Sequence, residues 1–144
     1  MILHRFATHY CFAHLLTERT CMPLTCSAAQ SFFDDNFAPW VRALDITIET
    51  IGANGATLSM PITDQVTRMG DILSGQALAT LADTAMVFAC AGHFGEMRPV
   101  ATTNLDLQFL RPGIGTHVMC HAHILRAGKS LLFTTASMIA APSD

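Results

Sequence analysis

Charge is what this chain has least of: 8 Lys and Arg and 11 Asp and Glu stand in 144 residues, 13% of the chain against 51% apolar. So little charge excludes a disordered protein, which needs low hydrophobicity to stay unfolded. It is also low for the surface of an isolated monomer and points to burial between subunits. The net charge of −3 leaves no basic excess, so broad nucleic-acid binding, which normally shows as a basic face, is not expected. The five cysteines, Cys11, Cys21, Cys26, Cys90 and Cys120, contain no C-x-x-C pair, and their odd number suits neither a disulfide framework nor a zinc site. A reducing, cytoplasmic compartment is the simpler reading. Repeats and low-complexity tracts are missing too, as is a clean apolar run followed by a cleavage site near Met1, so a secretory signal is not expected. The length fits one domain. Residues 1–21 are expected to be an extension that is poorly ordered or outside the functional chain, and residues 22–144 a single domain.

What is present is apolar patterning of two periods. Ser27 to Ala38 carries apolar positions at helical spacing and stops before Pro39, which predicts a short amphipathic helix lying across an edge. Leu44 to Ile51 alternates apolar with polar. Gly52-Ala53-Asn54-Gly55 then supplies turn chemistry before Ala56 to Pro61, so these segments form a hairpin. Val100 to Leu110, His117 to Leu125 and Leu131 to Ala140 read as three further strands, with Arg126-Ala127-Gly128-Lys129 turning the chain between the last two. Strands in runs, rather than strict alternation with helices, imply an α+β fold with a mainly antiparallel sheet. His117, His121 and His123 share one strand face, but no carboxylate or Cys joins them at ligand spacing, so no metal is expected. The other face, Val118, Cys120, Ala122 and Ile124, should meet a helix.

That helix is the most informative segment. From Ile72 to Phe94 the chain is almost wholly apolar, with one formal charge, Asp83, at its middle. A helix apolar on nearly all sides must be enclosed. The length also meets the crude test for a membrane span. Against the span stand Ser74, Gly75, Gln76, Thr80 and Thr84, sparse basic flanks, and an Asp that costs about 2.5–3.5 kcal/mol at mid-bilayer on insertion scales. A sheet curled around the helix explains the pattern better. Removing a carboxylate from water without partners is costly, so Asp83 is either a hydrogen-bonded structural acid or a functional one.

Gln76, Thr80, Asp83 and Val87 fall on one stripe of the helix. Its start, Ser74-Gly75-Gln76, offers unpaired backbone N–H groups and the positive end of the helix dipole, suited to a developing oxyanion. Gly75 and Asp83 are eight residues apart, roughly 12 Å along the axis at 1.5 Å per residue, too far for one carbonyl to touch both. Two copies with antiparallel helices would bring the start of one helix near the middle of the other and complete two identical sites.

Leu81-Ala82-Asp83-Thr84-Ala85, Ser74-Gly75-Gln76 upstream, and Leu105-Asp106-Leu107-Gln108-Phe109-Leu110-Arg111-Pro112 downstream together resemble the hotdog-fold acyl-CoA thioesterases of the phenylacetate-degradation (PaaI-like) type. The likeness spans about Leu44 to Ala140. It implies a sheet wrapped around a long central helix, homodimers often paired into tetramers, and sites at the dimer interface. It further implies that Asp83 is the catalytic acid, acting as base or nucleophile, and that the Gly75 N–H polarises the thioester carbonyl from the other subunit. Thr102 would place the water, with Arg126, Lys129 and Arg111 near the CoA phosphates and Ser74 and Gln76 lining the substrate. No cofactor is implied, CoA being part of the substrate, and no nucleic acid or membrane partner. The chain departs from the family's usual His-Gly-Gly at Ser74-Gly75-Gln76, and from a frequent upstream Asn at Arg68. After Ile139-Ala140-Ala141-Pro142-Ser143-Asp144 the family also usually continues into one more strand, whose absence would leave an unpaired edge. A non-catalytic acyl-CoA-binding module is the alternative these departures favour. Enoyl-CoA hydration ranks lower for want of an Asp/His pair.

Overall fold

The computed structural model describes residues 6–11, as backbone, and residues 24–141. In chain order the elements are β1 (Phe6–Cys11), α1 (Cys26–Asn36), α2 (Pro39–Arg42), β2 (Thr47–Gly52), β3 (Gly55–Pro61), β4 (Thr67–Arg68), β5 (Ile72–Leu73), α3 (Gly75–Phe94), β6 (Val100–Leu105), β7 (His117–Ala127) and β8 (Leu131–Ala141). Six strands form one antiparallel sheet in the order β2-β3-β7-β8-β1-β6, and β4 pairs with β5 in a separate ribbon.

The apolar segment folds as expected. Ser74 caps α3, its Oγ accepting from the Ala77 N–H, and Gly95 ends it in the left-handed region at φ 71°. Leu81, Ala82, Ala85, Met86, Phe88, Ala89 and Cys90 are fully buried. They face alternate residues of three strands: Ala56, Leu58 and Met60 of β3, Val118, Cys120 and Ala122 of β7, and Leu132, Ala136 and Met138 of β8. Periods of 3.6 and 2 thus meet in one core. By length and composition α3 could cross a membrane, but 67% of its apolar 18-residue window is buried inside the fold, which is the enclosure expected. At its far end the helix runs against the β2–β3 turn so closely that a Cβ on Gly92 would strike the Gly52 carbonyl.

The short first helix also lies where the sequence places it. Thr25 caps α1, and Ala29 and Phe33 point into the core beside β2, the edge strand. There the Gln30 amide donates to the Ile46 carbonyl and accepts from the Ile48 N–H, occupying backbone groups that an edge strand leaves open.

Four elements, two of them paired in one ribbon, were not anticipated. The four-residue α2 starts on Pro39, whose missing N–H is harmless at a helix start. The β4–β5 ribbon turns through Gly70 and Asp71, both at positive φ, and delivers the chain to Ser74. The last is β1, formed by six residues of the segment expected to be an extension; residues 1–5 and 12–23 lie outside the described residues, as do Pro142 to Asp144. β1 lies between β8 and β6 and is antiparallel to both, with His9 opposite Thr102 and Leu132. The free edge expected beside β8 is therefore occupied by β1. The strand expected over Val100 to Leu110 is shorter: β6 stops at Leu105, and Asp106 to Leu110 continue without a ladder.

Candidate active site

The residues of α3 that the sheet leaves uncovered are those the stripe argument selects. Gln76 is exposed, and Thr80, Asp83 and Val87 are half-buried, as are Gly75 and Ala79 beside them, while from Leu81 to Gly92 every helix residue other than Asp83 and Val87 is buried. Asp83 keeps access to water, so its charge does not carry the full cost of burial. Its Oδ1 accepts a 2.6 Å hydrogen bond from Thr102 Oγ1 on β6, a short, charge-assisted bond between a helix and an edge strand. Asp83 and Thr102, each named separately from the sequence, are thus in direct contact. Beside it Thr80, one turn back, donates its hydroxyl to the Gln76 carbonyl.

Two hollows open on this carboxylate. One, of about 260 Å³, is shallow and lined by Ala79, Thr80, Asp83, Thr102 and Leu105. The other, of about 430 Å³, is bounded by Thr80, Asp83 and Thr84 on α3 and by Phe32, Phe37, Trp40 and Val41 from α1, α2 and the bend between them. Phe37 stacks on the core residue Phe88 at 5.7 Å between ring centroids, which ties that aromatic wall to the central helix.

Gly75 lies elsewhere. It faces a third hollow of about 340 Å³, lined also by Arg68, Ile72, Leu78, Phe109 and Arg111. The Phe109 ring rests over it: a Cβ on Gly75 would lie 3.2 Å from Phe109 Cζ. Within one chain, then, Gly75 and Asp83 do not share a cavity. Arg111, expected among the substrate contacts, does stand beside Gly75. Arg126, at the end of β7, and Lys129, in the β7–β8 turn, are exposed and line none of the three hollows. Ser74 spends its hydroxyl on the helix cap.

Phe32, Phe37 and Trp40 were not singled out from the sequence. The only available signal was an aromatic-rich segment flanking Pro39, which reads equally well as ordinary helix packing. Among the described residues no three His, Cys, Asp or Glu side chains converge on a point where a metal ion could sit. His121 instead shares a hydrogen bond with Thr57 across the β3–β7 pair.

This architecture, an antiparallel sheet wrapped around a long central helix, is the hotdog fold. A thioesterase from Haemophilus influenzae superimposes with a TM-score of 0.66 at 18% identity, over 83% of this chain and 94% of that one. The PaaI protein of the E. coli phenylacetic acid degradation operon superimposes with a TM-score of 0.57 at 23% identity, over 77% and 94%. In sequence, a Thermoplasma acidophilum protein named as a putative esterase is 25% identical over 101 residues, 69% of this chain and 75% of its own length. Residues 70–143 match the thioesterase superfamily, and the chain belongs to that family.

Proposed function

We propose that the protein hydrolyses an acyl-CoA thioester to the free acid and CoA, at a site shared by two subunits of a homodimer. The Asp83 carboxylate takes a proton from water as the water oxygen attacks the thioester carbonyl carbon; direct attack by the carboxylate is the variant of the same role. The tetrahedral oxyanion is held by the Gly75 N–H of the other subunit, at the positive end of α3. Collapse breaks the C–S bond, and the CoA thiolate leaves and is protonated. Thr102, bonded to Asp83, orients the carboxylate and the water. Arg111 beside the Gly75 hollow, with Arg126 and Lys129 on the β7–β8 turn, offers positive charge to the CoA phosphates, and Ser74 and Gln76 border the thioester.

The observation that carries this reading is the Thr102–Asp83 bond on an uncovered face of α3, in a member of the thioesterase superfamily. The two-subunit site is supported by the separation of Gly75 from Asp83 into different hollows, by the unburied stripe of α3, and by the outer edge of β6, which has no sheet partner among the described residues. A dimer through that edge, with further pairing to a tetramer, also fits the low charge content, and a cytoplasmic location fits the cysteine pattern. Purified protein mixed with a panel of acyl-CoAs should release free thiol, and Asp83→Asn should not. Absence of turnover on every ester, or unchanged turnover in the variant, rejects the proposal.

The second reading, a non-catalytic acyl-CoA-binding module, is favoured by Phe109, whose ring lies over the Gly75 that should receive the carbonyl. Tight binding of a CoA ester with no release of acid would establish it.

A further inference from the structure

The carboxylate of Asp83 faces two unlike compartments, and the difference assigns a direction to the substrate. On the β6 side the hollow is shallow and carries the Thr102 hydroxyl. On the other side lies the larger hollow, with Phe32, Phe37, Trp40 and Val41 as its wall and no basic residue in its lining. A thioester carbonyl within reach of Asp83 must send its acyl group one way and its sulfur the other. The phosphates of CoA belong with cations, and of the three hollows around α3 only the one at Gly75 contains them, Arg68 and Arg111.

Trp40 makes the aromatic hollow specific. It is the single tryptophan of the chain and is 64% exposed, while its neighbour Val41 is 7% exposed and anchors α2 in the core. A large apolar ring left in water beside a reactive carboxylate contributes little to stability where it stands and gains by being covered.

We infer that the hollow between α1, α2 and α3 is the acyl pocket, that it takes neutral apolar acyl groups, and that Trp40 at its rim sets their length. The inference rests on the hydrolytic reading for its chemistry but not for its geometry. An acyl group ending in a carboxylate would place that charge against the aromatic wall with no cation in the lining to offset it and is disfavoured. Phe37 is the pocket's fixed wall, since its ring is locked against Phe33 at 4.9 Å and Phe88 at 5.7 Å. Trp40 is the adjustable one.

Because Trp40 is the sole tryptophan, its fluorescence reports occupancy without any turnover. Non-hydrolysable S-alkyl-CoA thioethers of rising chain length, titrated into the full-length protein, should shift its emission to the blue and shield it from acrylamide, increasingly with chain length up to a plateau. CoA alone should do neither. In hydrolysis assays Trp40→Ala should raise the ratio of kcat/KM for long over short acyl groups by roughly tenfold, the scale of selectivity that apolar pocket contacts give, and Trp40→Phe should restore much of the wild-type profile. In the binding experiments, three results overturn the inference: thioethers that bind by calorimetry without changing Trp40 emission, no binding of any thioether, or a Trp40 already shielded without ligand, which would mean that a second copy covers it. If emission responds to chain length but no acyl-CoA is hydrolysed, the pocket stands and the hydrolytic reading fails. If esters are hydrolysed with an unchanged chain-length profile in Trp40→Ala, the reverse holds.

Discussion

Thr102 Oγ1 donates a 2.6 Å hydrogen bond to Asp83 Oδ1, joining the edge strand β6 to the middle of the central helix. One acceptor site of the carboxylate is thereby occupied, and its orientation relative to the hollows on either side is set.

Removing the acid and removing its partner should have different consequences. Asp83→Asn keeps the shape and an acceptor oxygen but abolishes the base, and kcat should fall by about 10²–10⁴-fold, the usual range for a general base. Thr102→Val should lower kcat by roughly 10- to 100-fold, from the loss of a hydrogen bond to a charged group worth about 1.5–3 kcal/mol. Steady-state kinetics on one good ester, with circular dichroism to confirm folding, decides this. Equal losses in both variants would mean that Thr102 does more than orient.

A site built from two chains can be complemented. Gly75→Pro deletes the proposed oxyanion donor at a helix start whose backbone tolerates proline, and should cost about 10²–10³-fold in kcat, whereas Gly75→Ala, which crowds Phe109 but keeps the N–H, should cost far less. Mixing the proline variant with Asp83→Asn after co-refolding should restore about a quarter of wild-type activity, because half of the dimers are then mixed and each holds one intact site. No recovery would place both groups on the same subunit's site or on none.

Ser74 separates a structural role from a substrate role. Its Oγ accepts from the Ala77 N–H as the cap of α3, so Ser74→Ala should destabilise the fold by about 0.5–2 kcal/mol in urea unfolding. If capping is its whole contribution, KM stays unchanged in the folded variant. A raised KM would add the thioester contact.

Among the described residues β6 pairs in the sheet with β1 only, so the strand that carries Thr102 leans on a segment distant in sequence. Thr8→Pro removes a backbone donor from the middle of β1, where proline is poorly tolerated. Hydrogen exchange should show faster exchange at the β1-facing amides of both β6 and β8, with kcat lowered. Protection that persists in β6 would mean that β1 contributes nothing to holding it.

The elements legible in the sequence were those whose own periodicity carries the signal. The α3 stretch from Gly75 to Phe94, the β2–β3 hairpin around Asn54, and the alternation in β7 and β8 all follow from side-chain spacing against a single apolar core. Asp83 stood out because a lone charge in an apolar helix is expensive, and Thr102 was reached through a family likeness rather than through pattern. By contrast β1 was not legible: Phe6 to Cys11 shows no strong alternation, and its place is decided by two neighbouring strands that each present an open edge. Likewise β6 reads as longer than it is, because Leu107 and Phe109 continue the alternation after the ladder has ended.

Periods of 2 and 3.6 within continuous segments are enough to give the α+β class, the enclosed helix and the position of the one charge on its stripe. Tertiary structure alone decided what lies around that charge. Thr102 is 19 residues from Asp83 along the chain and Trp40 is 43 residues away on its other side, and such neighbours are chosen by how the sheet and helices close on one another, which no local pattern encodes. The separation of Gly75 from Asp83 belongs to both levels: helix geometry sets the distance, and the folded chain gives the two residues different hollows, the one at Gly75 covered by Phe109.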